Sequence, residues 1–254
     1  MFSIRSILLE ERIFALRTIK FFAVFWFELI RLFPSLRRAQ KFEQQGEKQQ
    51  RDAIVQQKVR YWTDRLLTVA GVVVKVEGLE NIPKGPVVFI SNHQGNFDIP
   101  ILLSHLDKAY PLLAKKEMMK IPLVRSWMKV MGCVFLDRQN PRQAVRSLEA
   151  ASALLSEGYS IIVFPEGTRS QSDQLGEFKS GAFKVAVKSR LPLIPILIDG
   201  SYRAMEANHG RIFPAAVSLK ILPPIDTAQL TKEEQKELPE KVLNMLSEAK
   251  KQLI

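Results

Sequence analysis

The sequence predicts an α/β domain, a central sheet of about seven strands flanked by helices, preceded by an N-terminal amphipathic segment. Three observations carry this. Past Gly71, short runs rich in Val and Ile alternate with stretches of helical periodicity. Two of the apolar runs end in polar blocks, Asn92-His93-Gln94-Gly95-Asn96-Phe97-Asp98 and Phe164-Pro165-Glu166-Gly167-Thr168-Arg169-Ser170. Before Gly71 the pattern is helical only.

The chain has 254 residues and 46% hydrophobic content, enough for one large α/β domain with a sizeable core. Its formal net charge of +11 points to anionic partners: a membrane surface, a phosphorylated substrate, an acidic carrier or nucleic acid. The single cysteine, Cys133, excludes an internal disulfide and lies in an apolar run, which suits a core thiol rather than a nucleophile. Arg5, Arg12, Arg17 and Lys20 interrupt any cleavable signal. The most apolar stretch, residues 21–27, falls far short of the roughly 20 residues that span a bilayer.

Residues 13–33 form the first predicted helix. At about 100° per residue, Arg17, Lys20, Glu28 and Arg31 fall within roughly 80° of arc. Phe14, Leu16, Ile19, Phe22, Phe25, Trp26, Leu29, Ile30 and Phe33 occupy the rest. A narrow charged stripe beside a wide aromatic face suits a helix lying in a membrane interface, cations near lipid phosphates. Pro34 ends it. Residues 36–52 are rich in Gln, Lys, Arg and Glu and are expected to be solvated; from Ala53, Val55, Val59, Trp62 and Leu66 recur at helical spacing. Residues 1–70 are thus expected to be a two-helix membrane-docking segment, the other reading of residues 13–33 being an ordinary amphipathic helix packed on the domain, and residues 71–254 the α/β domain.

Strands are expected at 72–76, 87–91, 110–114, 133–136, 160–164, 194–198 and 217–221, with helices at 97–106, 122–131, 141–156 and 180–189. A C-terminal helix starts at the capping box Thr231 to Glu234, and Pro239 should kink it or start another.

His93 and Asp98 are the candidate catalytic pair. On one continuous helix they would diverge by about 140°, so the chain must bend between them, and Gly95 permits a bend. Asn96 suits an N-cap and Pro100 a first turn, placing Asp98 where it reaches back to the imidazole. A carboxylate on one ring nitrogen leaves the other to take a proton from an alcohol. There is no Gly-x-Ser-x-Gly elbow, so the hydroxyl is expected from the acceptor substrate. His93, His105 and His209 are the only histidines and lack metal-ligand spacing.

The second block suits an anion. Gly167 allows close backbone approach, Thr168 adds a hydroxyl, and Arg169 offers a fork of donors matched to phosphate. Glu166 either holds that arginine or meets the acceptor's hydroxyl. Lys115 and Lys116 follow one strand and either add positive charge to the site or belong to a solvated loop. Asp137 and Arg138 end another, where Arg138 either meets the phosphate with Asp137 in support or forms a structural ion pair with it.

These blocks resemble the 1-acylglycerol-3-phosphate acyltransferase family, most closely its bacterial members. His93 and Asp98 match its His-x4-Asp block. Residues 132–138 match the second, with Leu136 for isoleucine. Residues 164–170 match the third, and Leu193-Ile194-Pro195-Ile196-Leu197 the proline-containing fourth. The resemblance covers residues 71–201. It implies a mixed α/β acyltransferase fold, no bound metal or cofactor, and an acyl thioester of acyl carrier protein or coenzyme A as co-substrate. It also implies lysophosphatidic acid as acceptor, its phosphate on Arg169, Arg138 and Lys116, with phosphatidate as product. The implied place of work is the cytoplasmic face of the cell membrane. Glycerol 3-phosphate or another lysophospholipid are alternative acceptors, and a non-catalytic basic protein of the membrane surface is the alternative from another class. Nucleic-acid binding has only charge in its favour, because the clustered aromatics belong to the first helix.

Overall fold

The computed structural model describes residues 4–108, 110–137 and 141–253, with side chains from residue 14 onward except those of 141 and 144. Helices α1 (Ile4–Arg31), α2 (Phe33–Gln44) and α3 (Lys48–Ala70) lead into β1 (Val72–Glu77) and β2 (Val88–Ser91). Then follow α4 (Asp98–His105), β3 (Leu113–Lys115), α5 (Val124–Val130), β4 (Val134–Leu136), α6 (Pro141–Ser156) and β5 (Ile161–Val163). The chain closes with α7 (Ser180–Ser189), β6 (Leu193–Asp199), β7 (Ala215–Ile221) and α8 (Lys232–Lys251).

All seven expected strands form, but not as one continuous sheet. Five make a sheet in the order β1-β7-β6-β2-β5, and β3 and β4 form a separate parallel pair. The pair joins β5 through a parallel bridge between Leu112 and Ile162, where Ile162 N–H donates to Pro111 O at 2.9 Å. Pro111 has no N–H to return, so the ladder narrows at that point. β2 is parallel to both β5 and β6, with Val88 opposite Ile161 and Leu193. β7 runs antiparallel to β6 and parallel to β1.

Side chains alternate across the sheet, as strand geometry requires. Phe89, Ile162, Ile194, Ile196 and Ile198 face a core shared with Leu29, Leu36, Val55, Ile101 and Trp127 from α1 to α5. Val88, Ile90, Ile161, Val163 and Leu197 face a second core with Leu155, Phe183, Leu238, Val242 and Leu246 from α6 to α8. Cys133 is buried, and desolvation pushes its thiol up to about 12, so it stays protonated at neutral pH.

The N-terminal segment departs from expectation in three ways. It holds three helices rather than two, because Pro34 sits in the first turn of α2, where a missing N–H costs nothing, and starts that helix as well as ending α1. Residues 36–52 are not fully solvated: Leu36 and Ala39 are buried, while Gly46, with φ +74°, makes the turn into α3. Nor does the charged stripe of α1 all face outward. Glu28 is 4% exposed and meets Arg31 at 2.7 Å, Arg65 at 3.7 Å and the Tyr61 hydroxyl at 3.2 Å. Arg17 Nη1 donates to Ala70 O at 3.3 Å. The exposed face of α1 is apolar instead: Leu16, Ile19, Phe27 and Ile30 are 62–66% exposed, alongside Phe22 and Trp26. Among the described residues, no helix is long and apolar enough to cross a membrane.

At the other end, Thr231 and Glu234 form the expected capping box, with Glu234 N–H donating to Thr231 Oγ1 at 3.2 Å. α8 runs on through Pro239 as one helix, and no second one begins there. Leu238, Val242, Leu246 and Ala249, buried on one face, hold the two sides of the proline in register.

Leu36→Ala is expected to cost about 2–5 kcal/mol in urea unfolding, because α2 packs there. Arg37→Ala, on the exposed side, should change stability by less than about 0.5 kcal/mol. Equal, small effects would mean that α2 does not pack on the core.

Candidate active site

Strand direction decides where the polar blocks meet. β6, β2 and β5 are mutually parallel, and the parallel bridge carries that direction into β3 and β4. Five C-terminal strand ends therefore open at one edge of the sheet, the usual place for a site in an α/β fold. His93 follows β2, Lys116 follows β3, Asp137 follows β4, and Glu166 and Arg169 follow β5. Ser201 and Glu206 follow β6.

Asn92, fully buried, continues the β2–β6 pairing with its side chain. Its Nδ2 donates to Ile198 O and its Oδ1 accepts from Ile198 N–H, both at 2.8 Å. Gln94 Oε1 likewise accepts from Gly200 N–H at 2.9 Å. The backbone is thus released from the sheet while staying anchored to it, and His93 projects from the loop between.

His93 Nδ1–H donates to Asp98 Oδ2 at 2.6 Å, so the chain does bend to bring the candidate pair together. The acid is completely enclosed and the imidazole is 15% exposed. Asp98 also accepts Gly95 N–H at 2.9 Å and the Ser201 hydroxyl. With Nδ1 committed, Nε2 is the nitrogen left to accept a proton. Phe164 stacks on the ring, centroids 4.1 Å apart and planes 22° from parallel, which restrains its rotation.

Two local expectations about this loop are corrected. Gly95 does not have a positive φ, so backbone freedom is not why glycine stands there. A Cβ at that position would meet Glu206 Oε2 at 2.4 Å, so the reason is close packing. Asn96 does not cap α4. The N-cap is Phe97, in αR geometry and without a side-chain bond, because Asn96 Oδ1 instead accepts from Arg169 Nη1.

The second block zips onto the first. Ser170 N–H donates to His93 O at 2.8 Å and Gln171 N–H to Gln94 O at 3.0 Å. Arg169 thereby lies beside the loop that carries His93, its Nη1 between Asn96 and Glu206 Oε1, the latter at 3.4 Å. Of the two roles open to Glu166, holding Arg169 is not what its contacts show. Oε1 accepts His93 N–H at 2.9 Å, and Oε2 packs so closely on Gly176 that a Cβ there would come within 2.5 Å. Burial raises the Glu166 carboxyl above its ordinary range, partly offset by the N–H groups of His93 and Gly176. Gly167, at φ +74°, closes a turn by donating its N–H to Phe164 O at 3.1 Å, so that donor serves the turn. Thr168 is exposed on the same turn.

Lys116 and Asp137 form a 3.0 Å ion pair. Lys115 is exposed at the end of β3. Asp137 thus supports Lys116, and Arg138 lies outside the described residues. Sequence reasoning missed Ser201 and Glu206. Both act on residues more than 100 positions earlier, and neither sits in a recognisable string.

A family model described as Acyltransferase matches residues 73–199, half of the chain. A probable 1-acyl-sn-glycerol-3-phosphate acyltransferase of Mycoplasma pneumoniae is 41% identical over 146 residues, covering 56% of this chain and 55% of the relative. A chloroplastic 1-acyl-sn-glycerol-3-phosphate acyltransferase of Arabidopsis thaliana is 41% identical over 147 residues, 55% of this chain and 41% of the relative. The chain spans about half the length of the curated relatives it matches. The crystal structure of the 1-acyl-sn-glycerophosphate acyltransferase of Thermotoga maritima superposes with a TM-score of 0.78 at 28% identity, covering 94% of this chain and 97% of that one. Ser201 and Glu206 fall beyond the matched family region.

Ser201→Ala removes a hydrogen bond from a fully buried carboxylate and is expected to cost about 1.5–3 kcal/mol in chemical unfolding. A loss below about 0.5 kcal/mol would mean that the hydroxyl does not hold Asp98.

Proposed function

We propose the following function for this chain, which belongs to the acyltransferase family: it moves a fatty acyl group from a thioester to the 2-hydroxyl of 1-acylglycerol 3-phosphate, giving phosphatidate. The observation that carries this reading is the placing of His93. Its Nδ1 is locked on enclosed Asp98, and its carbonyl is hydrogen-bonded to the residue after Arg169. A general base and an anion-binding arginine thus share one small frame.

In the proposed reaction the acceptor's phosphate sits on Arg169, with Lys116 and Arg138 adding positive charge. His93 Nε2 takes the proton of the 2-hydroxyl as its oxygen attacks the thioester carbonyl. Asp98 stabilises the imidazolium that forms. The tetrahedral intermediate collapses with cleavage of the C–S bond, and the imidazolium proton goes to the departing thiolate. Ester and free thiol are the products, and His93 returns to its starting state.

Direct transfer is supported by where the protein's own nucleophiles are engaged. Cys133 is buried with its thiol held protonated. Ser201 donates to Asp98, Ser91 to Asn92 O, and Ser170 to Ser172 O. With these thiol and serine groups engaged, the attacking hydroxyl in the proposed reaction is taken from the acceptor.

The acceptor is a lipid, and α1 supplies a surface for it. Its outward side is apolar over roughly 140° of arc at about 100° per residue, with Lys20 and Arg31 along one edge. Burial of that face in the acyl boundary, cations at the phosphates, suits an interfacial helix. On the inward side Phe21 packs on Phe97, with ring centroids 5.4 Å apart, directly before Asp98. One aromatic contact thus ties the inward side of α1 to the residue preceding Asp98.

Purified protein with anionic vesicles, a panel of lyso-acceptors and both acyl-carrier and coenzyme thioesters tests this reading. His93→Ala is expected to lose at least about 100-fold in turnover while retaining acceptor binding, and wild-type turnover would remove His93 from the mechanism. Arg169→Ala should raise the acceptor KM about tenfold or more; an unchanged KM would remove the phosphate from Arg169. Replacing Phe22, Trp26 and Phe27 together by Ser should cut vesicle binding at least about tenfold without unfolding the protein, and undiminished binding would place the lipid elsewhere.

A further inference from the structure

Glu206 begins a short 3-10 turn (Glu206–Asn208) after β6, outside both polar blocks. Its side chain is only 6% exposed, rare for a carboxylate without a full set of partners. Oε1 accepts Asn96 N–H at 2.8 Å and lies 3.4 Å from Arg169 Nη1. Oε2 has no hydrogen-bond partner among the described residues and presses on Gly95. The same Arg169 Nη1 donates to Asn96 Oδ1. Two acceptors therefore hold one end of the guanidinium, leaving its Nε–Nη2 edge as the fork for a bidentate anion.

We propose that Glu206 is a positioning residue for the acceptor's phosphate, fixing Arg169 against the loop that carries His93. The inference rests on reading Arg169 as the phosphate ligand. Arginine is long and rotamer-rich, so a guanidinium ordered before the ligand arrives loses less freedom on binding. Because the same carboxylate oxygen grips Asn96 N–H, the spacing between base and anion site is set by one group. Gly95 is the counterpart of this arrangement, since any larger residue there would displace the carboxylate.

The test compares steady-state KM for 1-acylglycerol 3-phosphate and for the thioester in wild type, Arg169→Ala, Glu206→Ala, Glu206→Asp and Glu206→Gln. Glu206→Ala is expected to raise the acceptor KM about tenfold and leave the thioester KM within about twofold. Glu206→Asp keeps the charge but draws it back by one methylene, and should raise the acceptor KM several-fold. Glu206→Gln keeps an acceptor at Oε1 and should stay within about threefold of wild type. In an Arg169→Ala background, Glu206→Ala should add nothing further. If Glu206→Ala does not fold, Glu206→Asp decides alone.

An acceptor KM unmoved by both Ala and Asp overturns the inference, as does a Gln variant as impaired as Ala or an equal rise in both KM values. Arg169→Ala with an unchanged acceptor KM overturns the phosphate reading itself, and this inference with it. Arg169→Ala impaired beside an unaffected Glu206→Ala and Glu206→Asp overturns the inference alone.

Discussion

Backbone N–H groups of the loop that carries His93 end on buried or half-buried carboxylates, and that constraint organises the site. His93 N–H donates to Glu166, Gly95 N–H to Asp98 and Asn96 N–H to Glu206, all at 2.8–2.9 Å. The three acids come from three different parts of the chain: the turn after β5, the first turn of α4, and the turn after β6. Ionised carboxylates away from water are costly unless they accept hydrogen bonds, so the loop's shape and the acids' burial support each other. Burial raises both Glu166 and Glu206, the N–H groups that they accept partly offset it, and the charge of Asp98 adds a smaller upward contribution.

Asp98 is the centre of this set. It is the most enclosed of the three, and it alone also binds the imidazole. The Ser201 hydroxyl on its other oxygen comes from the turn after β6, a strand whose end is itself tied to β2 by Asn92. The ring's orientation is thus set by a sheet, a helix start and a distant hydroxyl together. On the outside, α1 joins the same framework. Thr18 Oγ1 accepts Ile212 N–H at 2.9 Å, and Phe14 stacks on Phe213 at 3.7 Å, in the segment that runs on from Glu206 to β7. The exposed apolar helix and the buried carboxylates are neighbours in one construction.

Much of this was legible in the sequence, for identifiable reasons. The strands are short runs rich in Val and Ile, the inner ones buried on both faces, and two of them end in the polar blocks, so His93, Asp98 and Arg169 could be named. α2 was misread because only Leu36 and Ala39 face inward along a polar helix, too few positions for composition to show. Asn96 has the residue type of a helix cap, yet its side chain is claimed by an arginine far along the chain, which no local rule predicts. Gly95 invited a backbone explanation when the cause is a carboxylate 111 positions later. Glu206 and Ser201 contribute through contacts that exist only once β2 and β6 lie side by side.

The central claim is that one frame holds the base to the acceptor's hydroxyl and the arginine to its phosphate. A structure with 1-acylglycerol 3-phosphate bound, and no thioester to consume it, tests that most directly. The account predicts the 2-hydroxyl oxygen within about 3 Å of His93 Nε2 and the phosphate on the Nε–Nη2 edge of Arg169. A phosphate bound away from Arg169, with the glycerol out of reach of the imidazole, would contradict it.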